Sequence, residues 1–169
     1  MSSKGGGALQ FADRRTARHW IGAWWPVALG VAVIVAESTA LFGADRTSAP
    51  LRWLFQHLFG TVSDARWDEV HHLIRKSGHF IGYGLIGVAW LRAWRMTLPR
   101  LRFFPSSLLL ALLGTGALAC WDEWHQSLLP NRGPSPWDVL LDCSGAFTMC
   151  LLAYLFLRLF RPQRLRGRS

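Results

Sequence analysis

The residues best suited to chemistry gather between Trp121 and Asp142, in WDEWHQSLLPNRGPSPWDVLLD. An apolar run over 108–120 leads into Asp122, Glu123, His125 and Gln126. A Pro/Gly-punctuated turn over 130–136 carries Arg132, and a second apolar run opens with Asp138 and Asp142. Four carboxylates, an arginine, a histidine and an amide therefore stand at the mouths of two apolar helices. Charge in such a place is costly, so it faces a partner, a cavity or water.

Helical spacing extends the cluster. Lys76 and His79 are three residues apart, and His79 and Tyr83 four apart, so all three share one helix face. Gln126 shares a face with Asp122 and with Glu123. Asp122 and Glu123 are neighbours about 100° apart on a helix, so at most one of them is expected to point squarely inward. Asp138 and Asp142 share a face. Asp138 lies in the first turn after Pro136, where a carboxylate also stabilises a helix N-terminus. Glu37 closes an earlier apolar run. Together, Glu37, Lys76, His79, Tyr83, Asp122, Glu123, Gln126, Arg132, Asp138 and Asp142 form the candidate pocket.

The elements that must position these groups are apolar helices. The chain has 169 residues, 51% of them apolar, a mean hydropathy of +0.18 and ten tryptophans. These values fit a single membrane domain. Trp20–Phe42 has about the 20 residues that cross a bilayer core. Its length, Glu37 and the absence of an A-x-A site argue against a cleaved signal peptide. Residues 77–96, 103–126 and 137–160 supply three further spans, and Gly78, Gly82, Gly84 and Gly87 are expected to allow close packing. Between spans one and two, Leu51–Gly60 reads as a short amphipathic helix in the interface. Ser63 or Asp64 then caps a helix through Ile74, on which His71 and His72 read as solvated or hydrogen-bonded. The expected fold is an all-α membrane protein of four transmembrane helices with that interfacial helix. It is flanked by a flexible basic arm, 1–19, and a basic tail, 161–169, around a domain at 20–160.

Cys120, Cys143 and Cys150 lie in apolar runs and read as small buried hydrophobes. No phosphate loop, dinucleotide fingerprint, nucleophile elbow or zinc spacing is present, so no cofactor or metal is expected. The formal charge is +9. Its basic residues flank spans, which points to an anionic membrane surface and not to nucleic acid.

Those basic residues also orient the chain. Lys4, Arg14, Arg15 and Arg18, the turn residues Arg92, Arg95, Arg100 and Arg102, and tail arginines from Arg158 onward fall on one side with a single acid, Asp13. The positive-inside rule makes that side cytoplasmic, in the inner membrane, with both termini inside. The polar groups within the spans then all lie on the extracytoplasmic half, as one pocket open to the outer leaflet.

Arg75-Lys76-x-x-His79 before a glycine-rich span, Asp122-Glu123-x-x-Gln126 after another, Arg132 in the turn, and Asp138-x-x-x-Asp142 with Gly145 beyond resemble the VanZ-like family. Glu37-Ser38 and the later Thr47 also fit. The likeness covers about residues 25–155 and implies a multi-pass protein of the cell envelope. The family takes its name from a protein associated with teicoplanin resistance, and the likeness implies no settled reaction.

Three functions remain open on the residues. The pocket can bind an envelope lipid, an anionic lipid headgroup or a lipid-linked cell-wall precursor. It can be an enzyme site for a phosphate or ester, with His79 as base or nucleophile, Glu123 as proton donor, and Lys76 and Arg132 clamping an anion. Or it can be a structural knot of ion pairs between Lys76, Arg132 and the carboxylates.

Overall fold

The computed structural model describes residues 5–39, 44–98, 104–129 and 135–160. All the described elements are helices: α1 (Gly5–Glu37), α2 (Ala44–Phe59), α3 (Asp64–Thr97), α4 (Phe104–Ser127) and α5 (Pro136–Leu159). α4 and α5 lie within a residue or so of the expected bounds. Each is a long apolar run, α4 followed and α5 preceded by the Pro/Gly-rich turn, and Pro136 at the start of α5 has the fixed φ that suits a first turn.

Two elements depart from expectation. Helix α1 begins at Gly5, inside what the sequence reading assigns to a flexible arm; no proline interrupts it before Pro26. The helix expected to end at Ile74 and the span expected from residue 77 are one 34-residue helix, α3. Ser77-Gly78 reads as a break, yet a glycine inside a helix costs only about 1 kcal/mol relative to alanine, less than tertiary packing supplies. At about 1.5 Å per residue, α3 is roughly 51 Å long.

Helix α2 starts earlier than expected and ends where Gly60 turns the chain with φ +91°. Polar contacts hold α2 to the start of α3. Trp67 Nε1 donates to Ser48 Oγ at 2.7 Å, Arg52 pairs with Asp64 at 2.6 Å, and Thr47 Oγ1 and His71 Nε2 share a bond of 3.3 Å. Burial, aided by the positive Arg75 and opposed by Asp68, holds the His71 imidazole below its ordinary pKa. His72 is exposed.

Helix α3 is the axis, packing on α1, α4 and most extensively on α5. The long helices alternate in direction. Trp24 of α1 meets Trp90 and Trp94 of α3 edge-on at 5.6 and 4.9 Å, while Gly30, further along α1, faces Ile86. Arg92 ties this end, donating to the carbonyls of Gly22 and Ala23 at 3.1 Å.

Glycines bring α3 and α5 together, though not all of those expected. A Cβ on Gly145 would lie 2.2 Å from the Phe80 carbonyl oxygen, one on Gly87 2.8 Å from Ala146 Cβ, and one on Gly84 2.6 Å from Met149 Cγ. Gly78 and Gly82 touch nothing: a Cβ at either would have no neighbour within 4 Å. Among the cysteines, Cys150 is buried, Cys143 half-buried and Cys120 exposed, so the expectation of three buried thiols fails for Cys120, which faces outward on α4.

The two glycine classes predict opposite effects on thermal unfolding in detergent. Gly145→Ala should destabilise by about 1–3 kcal/mol, because backbone cannot yield as a side chain does. Gly82→Ala should be neutral or stabilise by up to about 1 kcal/mol, because it removes unfolded-state freedom without a clash.

Candidate functional site: a buried polar cluster and the groove that reaches it

The C-terminal ends of α1 and α4, the middle of α3 and the start of α5 meet at one end of the bundle. There the apolar helices turn their polar residues toward one another. Asp142 is 1% exposed, Asp122 3% and Glu123 8%. Buried carboxylates need partners, and each finds one outside the helix that carries it.

Tyr83, itself 2% exposed, donates from its hydroxyl to Asp122 Oδ2 at 3.2 Å. His79 Nδ1 faces Asp142 Oδ1 at 3.4 Å, close enough for an ion pair but without hydrogen-bond geometry. The His79 ring stacks over Tyr83 with centroids 6.0 Å apart. Lys76 Nζ pairs with Asp138, one turn before Asp142. The shared face of Lys76, His79 and Tyr83 is thus the face that meets the acids of α4 and α5.

Asp122 and Glu123 are both buried, against the expectation that only one points inward. They address two different neighbours. Asp122 faces α3, while Glu123 Oε2 accepts the backbone N–H of Ser135 at 2.7 Å, at the N-terminus of α5. This bond satisfies one of the amides that a helix start leaves without a partner. The expected approach of His79 to Glu123 is replaced by the approach of His79 to Asp142.

Gln126 is buried beside this cluster, and Glu37 lies at its α1 side. Arg132 lies outside the described residues. Sequence spacing missed one pair: Ser38 Oγ, 1% exposed, and His125 Nδ1 share a 2.8 Å hydrogen bond that ties α1 to α4. Nothing in the spacing of a lone serine and a histidine 87 residues apart signals it. Among the described residues, no group of three His, Cys, Asp or Glu side chains is arranged to hold a metal.

Two spaces adjoin the cluster. A groove of about 510 Å³ runs between α1 and α3, walled by Leu29, Val33, Leu85 and Ile86 and ending at Glu37, Thr47, Arg75 and His79. Behind it is a chamber of about 30 Å³ lined by Glu37, Ser38, His79, Tyr83, Asp122 and Gln126. Gly78 and Gly82 line both spaces, and their missing side chains keep the passage open.

Outside this cluster the pattern is inverted relative to a soluble fold. Leu29, Leu85, Leu109, Leu113, Phe147 and Leu152 are all about half exposed along the long helices, while carboxylates are inside. Three helices, over Ala17–Glu37, Phe104–Ser127 and Pro136–Leu159, are long and apolar enough to cross a membrane. Apolar faces outward with backbone bonds satisfied within helices are what a bilayer demands. The fold and its polar interior define a helical membrane protein.

The chain belongs to the VanZ/LLP1 family, whose model matches residues 22–158, from the middle of α1 to the last turn of α5. No curated protein and no solved structure matches it.

The contact from Glu123 to α5 sets a test. Glu123→Ala should destabilise by about 1.5–3 kcal/mol, the worth of a hydrogen bond to a charged group, whereas Glu123→Gln keeps an acceptor and should lose less. Amide exchange at Ser135 and in the first turn of α5 should accelerate in the alanine variant only. Equal protection in both would show that the carboxylate does not hold this helix start.

Proposed function

We propose that the chain is a four-span protein of the cytoplasmic membrane that binds an envelope lipid or lipid-linked glycan in a pocket on the extracytoplasmic side. By occupying that lipid it alters the access of glycopeptides to the cell surface. Both termini are cytoplasmic in this reading, because the N-terminal arm, the 92–102 turn and the C-terminal tail are rich in Lys and Arg and nearly free of acids in the sequence. Helix α3 supplies the fourth span with its residues from about 77 onward. Its length exceeds the roughly 30 Å hydrocarbon core, so its first turns, with α2 docked on them, stand at the outer interface.

The observation that carries this reading is the groove between α1 and α3. Its walls are aliphatic and its end is polar, with Arg75 and His79 of α3 beside Glu37 and Thr47. That combination suits an amphiphile lying with its chain along the helices and its headgroup at the bundle end. Arg75 makes no ion pair among the described residues, and its guanidinium fork suits a phosphate. The facing of His79 and Asp142 at 3.4 Å favours a second reading, an enzyme in which the buried carboxylate orients the histidine as a base toward a phosphate or ester.

Native mass spectrometry of the full chain, purified and delipidated in mild detergent, tests the first reading. About one phospholipid or lipid-linked precursor per chain should survive delipidation in the wild type and be lost in Arg75→Glu. A wild-type chain that retains no lipid would contradict the binding function. A retained lipid converted to a cleaved product during incubation would establish the enzyme instead.

A further inference from the structure

We propose that the lipid is an aminophospholipid, whose phosphate sits at Arg75 and whose primary ammonium enters the chamber to meet Asp122. This deepens the lipid-binding reading and rests on it.

The chamber is built for a small cationic donor. Asp122 is 3% exposed and spends one oxygen on Tyr83; its other oxygen, Oδ1, has no hydrogen-bond partner among the described residues. An acceptor oxygen held out of water without a partner is expensive. Glu37 and Gln126 line the chamber with it, and Asp142 lies behind His79. Among the described residues, no lysine or arginine lines the chamber. Lys76 is paired to Asp138, and Arg75 lines the groove but not the chamber. A ligand reaching from groove to chamber therefore has the Arg75 guanidinium to address in the groove and the partnerless oxygen of Asp122 in the chamber, with Glu37 lining both. A phosphate followed by an ammonium on a two-carbon linker offers a charge to suit each.

Size restricts the cation. A chamber of about 30 Å³ accommodates a water or an –NH₃⁺ group, whose three N–H donors can address several carboxylate and amide oxygens. A trimethylammonium is bulkier and donates no hydrogen bond. A headgroup ending in hydroxyls brings no charge to offset Asp122.

The passage explains why Gly78 and Gly82 differ from the packed glycines. Both line groove and chamber, and any side chain there would project into the route with nothing else in its way. Gly22 is equally open but lies outside the groove lining, which makes it a control.

The test is competition among chain-matched phosphatidylethanolamine, phosphatidylcholine and phosphatidylglycerol, with undecaprenyl phosphate as a fourth probe, for the delipidated full chain, read by native mass spectrometry. Phosphatidylethanolamine should be retained at least about tenfold over each of the others. Gly82→Leu should lose retention while Gly22→Leu keeps it. Asp122→Asn should bind lipid but retain phosphatidylethanolamine and phosphatidylglycerol equally. Equal retention of all four probes by the wild type, or preference for phosphatidylglycerol or undecaprenyl phosphate, would overturn the ammonium assignment and leave lipid binding standing. The wild-type series decides the matter even if Asp122→Asn fails to fold. Retention of none of the four would end both readings.

Discussion

The structure depends on keeping buried carboxylates in an apolar bundle. Asp122, Glu123 and Asp142 lie on helices whose other faces are aliphatic, and each is more than nine-tenths hidden. Stranding such a charge costs several kcal/mol, about 3–5 when one partner of a buried pair is removed. The helices therefore settle in the register that supplies partners. Asp122 takes the Tyr83 hydroxyl of α3, Asp142 the imidazole of His79, and Glu123 the amide of Ser135 just before α5. A one-turn slip of α3 would separate all of its contacts together, because Lys76, His79 and Tyr83 share a face.

The opposite end is held by different physics. Tryptophans of α1 and α3 interlock edge to face, and Arg92 grips backbone carbonyls near the start of the α1 span. In between, Gly84, Gly87 and Gly145 let α3 and α5 approach closely, where dispersion and not the hydrophobic effect must supply attraction within a bilayer. The division leaves one side of α3 unfilled. There, opposite α1, Gly78 and Gly82 face open space, and the groove follows from the absence of any side chain to close it.

Much of this was legible in the sequence. The bounds of α4 and α5 followed from apolar runs on either side of a proline-rich turn, and the common face of Lys76, His79 and Tyr83 followed from helical spacing. The continuity of α3 was not legible, because Ser77-Gly78 carries a local breaking signal that packing overrides. Nor were the partners. Spacing places His79 on a face, but which acid it meets depends on which helix lies alongside, and α5 rather than α4 presents that acid. Asp122 and Glu123 illustrate the same limit. One neighbouring helix would leave one of them outside, whereas two neighbours bury both. Glycines look alike in sequence, and only the structure separates those in contact from those lining a passage.

The central claim, that carboxylates and their partners set the helix register, is tested most directly by a double-mutant cycle on His79 and Asp142. Unfolding free energies would be measured for wild type, His79→Gln, Asp142→Asn and the pair, in one detergent at one pH. The expected result is a coupling of about 1–3 kcal/mol, as found for residues sharing a buried network. Strict additivity, with both single losses small, would contradict it and show that apolar packing alone aligns the bundle.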